Sequence, residues 1–216
     1  MYGTAELDQQ DANPRQRSGT IGAMADRRDD AAHLHLETIE QWRAWLVENH
    51  ATHPGVWLVS WKRATGRPAV PYVEAVEEAL TVGWIDATRR TLDDERSAQW
   101  FTRRKRGSGW ARTNKERLVR LEAEGRMLPA GRAVVEAAKA DGSWTMFDDV
   151  EALVVPDDLA VSLDAHPGAR TTWDAYPKSV KQLHLVWIMQ AKRPETRANR
   201  IEQVASRAAA GERAIR

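Results

Sequence analysis

The run Trp100-Phe101-Thr102-Arg103-Arg104-Lys105-Arg106-Gly107-Ser108-Gly109-Trp110 sets four consecutive cations beside a Gly-Ser-Gly turn flanked by tryptophans. From Trp100 to Arg117 there are seven basic residues and one acidic residue, a local charge of +6 in a chain whose formal total is +1. Such a patch can neutralise phosphate, carboxylate or a nucleic-acid backbone, with glycines admitting close backbone approach and Ser108 supplying a hydroxyl. A helix starting near Trp110 or Thr113 would add free N–H groups to the same anion site. Two plainer readings compete with this one: a solvated basic turn, and pairing with the acidic turn Asp93-Asp94-Glu95.

Upstream, Gly83-Trp84-Ile85-Asp86 leaves a helix and opens a strand. Asp86 reads first as a structural residue that orients an arginine such as Arg89 or Arg103 or caps the turn, and it is also the candidate general base. His33 and His35 alternate, and His50 and His53 stand three apart, but neither pair has the companion ligands that a metal site needs. His184, among Leu183, Leu185, Val186 and Trp187, reads as a packing residue. There is no P-loop, dinucleotide fingerprint or nucleophile elbow. No metal and no cofactor are expected.

The 216 residues include 32 basic and 31 acidic ones, so any electrostatic function is local. With no cysteine, thiolate nucleophiles, disulfides and iron–sulfur ligation are excluded. No apolar run reaches the length of a membrane span and no export signal is legible, so the expected location is the cytoplasm. Ten tryptophans are available for stacking or for core packing, the commoner use.

The elements that must position these groups can be read from spacing. Residues 1–32 are polar and aperiodic, an expected disordered tail, followed by one domain over 33–211 and a short tail at 212–216. A capping box, Thr38 with Gln41, opens a helix ending near Asn49. Val56 to Trp61 is apolar on both faces, as in a central strand. A turn at Thr65-Gly66-Arg67-Pro68 precedes a helix from Tyr72 to Gly83. Strands follow at about Ile85 to Leu92 and Ser97 to Arg103. Further helices are expected over Thr113 to Glu124, with Thr113 and Glu116 as capping box, and over Pro129 to Asp141, Ser179 to Lys192 and Pro194 to Ala210. Between Gly142 and Ser179 an irregular connector is expected, around Val154 to Asp158. The fold class is α+β, mostly helical, with a small antiparallel sheet of about three strands.

Several spaced motifs resemble the YdeI/OmpD-associated, or bacteriocin-protection, family. They are Glu77-Glu78-Ala79-Leu80, Gly83-Trp84-Ile85-Asp86, Phe101-Thr102-Arg103-Arg104, Ser108-Gly109-Trp110 and Asn114-Lys115-Glu116-Arg117, continuing through Gly125-Arg126-Met127 to Ala191-Lys192-Arg193-Pro194-Glu195-Thr196-Arg197. Where the family commonly has Cys-Phe this chain has Thr81-Val82, it lacks the proline before Arg103, and Ala111 replaces a common serine. Those departures argue against a cysteine or serine nucleophile. The resemblance implies a link to tolerance of bacteriocins and antimicrobial peptides, a stress-response role. It also strengthens Trp84, Asp86, Arg103, Arg104, Ser108, Trp110 and Asn114 as the candidate ligand-binding residues. The expected partner is an anionic small molecule or polyanion. The alternatives are an enzyme acting on a phosphorylated or carboxylated metabolite, and single-stranded nucleic-acid binding, which the near-neutral total charge disfavours. Oligomerisation through the C-terminal helices is possible.

Overall fold

A computed structural model of the chain describes residues 31–215. The expected disordered tail therefore lies outside the described residues except for Ala31 and Ala32. The sheet has four strands, β1 (His33–His35), β2 (Gly55–Trp61), β3 (Trp84–Thr91) and β4 (Arg96–Arg103), in the order β1-β2-β4-β3. β1 runs parallel to β2 and the other pairings are antiparallel, so the sheet is mixed rather than purely antiparallel. The expectation of three strands missed β1. Three residues carry no usable period, and this strand exists only because β2 supplies a pairing edge, with Trp57 N–H donating to the Ala32 carbonyl at 3.0 Å.

Helices α1 (Ile39–Asn49), α2 (Tyr72–Thr81), α3 (Arg112–Ala123) and α4 (Pro129–Ala140) pack with one face of the sheet. The Thr38–Gln41 capping box forms as read, with both reciprocal bonds present. The Thr113–Glu116 box does not. Ala111 is the N-cap of α3, and the Glu151 carboxylate instead accepts from Arg112 N–H at 2.9 and 3.1 Å. The expected irregular connector contains three helices, α5 (Asp148–Glu151), α6 (Asp157–Ala165) and α7 (Ala169–Ala175). α6 and α7 each bury one i,i+4 pair, Leu159/Leu163 and Ala169/Trp173, too little for a periodic signal. α8 (Lys178–Met189) and α9 (Pro194–Ala209) complete the chain.

The apolar interior is divided. One cluster centres on Trp42, Leu80, Trp84, Phe101, Trp110 and Leu121, and a second on Leu159, Trp173, Ile188 and Val204. Trp57, Val59, Ala98 and Trp100 form a third group on the other face of the sheet. His184 is fully buried in the second region, stacked on Tyr176 and donating from Nδ1 to the Val180 carbonyl, which is the packing role expected.

α2 is the central helix, buried at every residue from Ala75 to Thr81. Two of those residues are glutamates, and neither could sit there without a counter-charge. Glu78 receives Arg43 from α1, at 2.5 Å, and Arg126 from the turn after α3; Glu77 receives Arg120 from α3. Burial works to raise the Glu78 carboxyl, but hydrogen bonds from Arg43 and Arg126 outweigh it and hold the group below the ordinary carboxylate range. At its other side α2 is crossed closely by α4, where a β-carbon on Gly131 would collide with the Thr81 carbonyl.

Glu78→Gln is expected to lower the unfolding free energy by about 3 kcal/mol, the lower edge for breaking a buried pair because the guanidinia reach water. Urea denaturation at neutral pH measures this. Because the folded Glu78 carboxyl titrates below its unfolded value, its contribution is complete above roughly pH 4.3 and is lost as pH falls through the depressed folded value. The gap between wild type and Glu78→Gln should therefore narrow in acid.

Candidate functional site

The basic stretch does not present its charge to solvent as a whole. Arg106 lies 3.5 Å from Asp141, Arg112 pairs with Glu151 at 3.4 Å, and Lys115 pairs with Asp148. Arg117 donates to Asn114 Oδ1 at 2.8 Å. The carboxylates come from residues 141–151, not from the turn at Asp93-Asp94-Glu95, which is engaged elsewhere: Asp93 with Arg96 and Glu95 with Arg67. The same seam is closed sterically. Gly109 faces the Phe147 ring so closely that any β-carbon would overlap it, so this glycine serves packing and not ligand approach.

The seven sequence-derived candidates separate into four places. Trp84 is buried, its indole N–H donating to the His50 carbonyl at 3.1 Å, and its register partner Arg103 turns outward to the Ala51 carbonyl at 3.1 Å. Arg104, Ser108 and Trp110 line a small cavity against α4. Asp86 accepts from the Tyr72 hydroxyl at 2.8 Å and holds neither Arg89 nor Arg103. Burial first, and then the Asp86 hydrogen bond, raise the Tyr72 phenol above its ordinary value. Asn114 is spent on Arg117. These residues do not converge on one pocket.

A larger cavity lies elsewhere among the described residues, a groove of about 740 Å³ between the sheet and the segment leading into α2. Its floor is Leu58, Ser60, Ser97, Gln99 and Phe101, and its walls include Trp61, Arg63, Arg67, Val70, Tyr72 and Arg89. A bulge builds the floor. Asp86 opposes Phe101 and Arg89 opposes Gln99, so three steps on β3 match two on β4. The extra residue returns Arg89 to the face that carries Phe101 and Gln99; unbulged alternation would have turned it away. Arg89 donates to Ser97 Oγ at 3.0 Å, and Arg67 stacks over Trp61 with its guanidinium carbon 4.3 Å from the ring centroid. The lining holds three arginines and no carboxylate. Arg67 shares Glu95 only weakly, at 3.4 Å between half-exposed groups.

Residues 152–211 match the family described as bacteriocin-protection, YdeI or OmpD-associated. The chain carries a YdeI/OmpD-associated domain. It coincides with the second hydrophobic cluster, whereas residues 34–134 match a model described as a domain of unknown function (DUF8412). No curated protein and no solved structure matches the chain. The groove and all seven candidate residues fall in the 34–134 stretch, outside the YdeI/OmpD-associated domain. Of the groove residues, sequence reasoning singled out none as a ligand. The available signal is the pair Arg63 and Arg67 just after the strand ending at Trp61, of which only Arg67 falls in the expected turn at Thr65-Gly66-Arg67-Pro68.

If the basic stretch is neutralised by residues 141–151, Asp148→Asn/Glu151→Gln should free Arg112 and Lys115. That variant is expected to elute from a heparin column at distinctly higher salt than wild type; identical elution would mean the pairs contribute nothing in solution. The stability cost should be about 1 kcal/mol or less per exposed pair, read by urea denaturation.

Proposed function

We propose that this protein binds a small anionic molecule with a flat apolar portion in the groove between Arg63, Arg67, Tyr72 and the sheet. The observation that carries the reading is the lining itself: three arginines without a carboxylate, beside Trp61, Tyr72 and Phe101. Arginine forks pair with carboxylate, phosphate or sulfonate, and the aromatic and aliphatic walls take an apolar body. The volume falls in the range of roughly 300–1,000 Å³ typical of small-ligand sites. Ser60, Ser97 and Gln99 on the floor add polar groups able to fix orientation.

The anionic partner read from the sequence thus keeps its chemistry and changes its place, from the Trp84 to Asn114 surface to the groove. A cationic antimicrobial peptide fits poorly here, since like charges repel. Protection from bacteriocins, the description attached to the matched family, would then act through an anionic ligand and not through capture of the peptide. Asp86 stands at the rim through Tyr72, so the groove has one ionisable pair next to its arginines.

A sulfonated aromatic dye, 8-anilinonaphthalene-1-sulfonate, serves as the probe. Its affinity is expected to fall about tenfold in Arg63→Ala/Arg89→Ala, the loss of one or two charge-assisted contacts, and to weaken as salt rises. Fluorescence titration reads both effects. Unchanged affinity in the double variant would remove the groove from the proposal.

A further inference from the structure

The second cavity, about 120 Å³, lies between the loop 104–110 and α4 and shares no lining residue with the groove. Trp110 and Ser143 in its wall are each 1% exposed; Trp110 Nε1 has no hydrogen-bond partner among the described residues, and Ser143 Oγ, which lies by the Asp141 carboxylate, meets none at full hydrogen-bond geometry. Arg104, also in the wall, lies flat on the Trp110 ring with its guanidinium carbon 3.6 Å from the centroid. Its Nη2 donates to the Gly109 carbonyl at 2.5 Å, while Nε and Nη1 are buried and unpaired. The carboxylate whose charge acts on it, Asp86, forms no ion pair with it and is held by Tyr72. Burial pulls the Arg104 guanidinium down to about 10, and Asp86 offsets this only in part.

These groups share one property. The free positions of a guanidinium and an indole are donors only, and the Ser143 hydroxyl can donate as well. A buried donor left unmade costs about 1–3 kcal/mol, and more when it is charged. The complement to such a set is an acceptor, and beside a buried guanidinium that no carboxylate pairs it is an anion. The other charged side chains in the wall are Lys105, Arg106 and Asp141. Asp141 is held below the ordinary carboxylate range first by the Ser143 side chain, then by the Ser143 N–H at 3.0 Å and by Arg106 at 3.5 Å, so three cations face one already paired carboxylate. The cavity is several times larger than the ~30 Å³ that one water occupies in the liquid.

We infer that this cavity binds a small oxyanion of the size of phosphate or sulfate, held by Arg104, the Trp110 indole N–H and the Ser143 hydroxyl. The site is independent of the groove. Binding there ties the loop 104–110 to α4, next to the seam where Arg112 and Lys115 meet α5.

The test is a titration with sodium phosphate, and separately with sodium sulfate, at ionic strength held constant with sodium chloride. The readouts are the unfolding temperature and, for phosphate, ³¹P line broadening. Wild type is expected to show a saturable rise in unfolding temperature with one or both oxyanions. Trp110→Phe, which keeps the ring under Arg104 but loses the N–H, and Ser143→Ala, a minimal truncation, should each need about tenfold more anion. Weakening in either variant supports the site. No effect beyond chloride in wild type, or an undiminished effect in both variants, overturns it. Arg63→Ala/Arg89→Ala should titrate like wild type, which keeps the outcome separate from that of the groove.

Discussion

Two adjacent glutamates inside the central helix set the terms for the first half of this molecule. A helix buried from Ala75 to Thr81 is expected to be apolar all round. Placing Glu77 and Glu78 in it obliges neighbouring elements to bring guanidinium groups to fixed positions, because an unpaired buried carboxylate is far more costly than any one packing contact. α1, α3 and the turn after α3 each contribute one arginine. Their own faces are thereby oriented: Arg43 is carried by the helix whose Trp42 donates to the Ala75 carbonyl at 3.0 Å. The ion pairs act less as a source of stability than as a register for how three elements surround a fourth.

The groove follows from that arrangement. α2 is clamped along its middle and C-terminal turns, while Tyr72 and Val73 at its start are half exposed. The chain reaches α2 from β2 through Arg63–Thr65 and the turn at Gly66, whose φ of 65° suits a residue without a β-carbon. This path leaves the end of the sheet uncovered, where inward positions carry serine, glutamine and arginine in place of the apolar residues found deeper. The tight packing of one end and the open floor of the other are two results of a single placement of α2.

The basic stretch after β4 has a different task from the one its composition suggests. α5 contributes Val150 to the second hydrophobic cluster and sends Asp148 and Glu151 back to Lys115 and Arg112 on α3. Phe147 closes on Gly109 alongside. The run of cations is therefore largely a seam against residues 141–151, which lie between the stretch that contains the sheet and residues 152–211, which match the YdeI/OmpD-associated family. Arg104 stands apart from this neutralisation, stacked on Trp110 without a carboxylate.

Much of the local structure was legible from residues alone. The capping box at Thr38, proline at the start of α4 and α9, and the strand limits near Ile85 and Arg103 all depend on neighbours a few positions apart, so the information is present in any short window. The α+β class and the packing role of His184 followed from the same kind of pattern. The site was not legible in this way. Local sequence determined that residues 100–117 are strongly basic, but which carboxylates meet those cations was decided by residues 141–151 returning across the fold. Arg89 enters the groove because β3 bulges against β4, and Asp86 turns to Tyr72 because α2 starts beside it. Charge and helical period are properties of a segment; a cavity, a bulge and an ion pair between distant residues are properties of a packing, and only the tertiary structure specifies them.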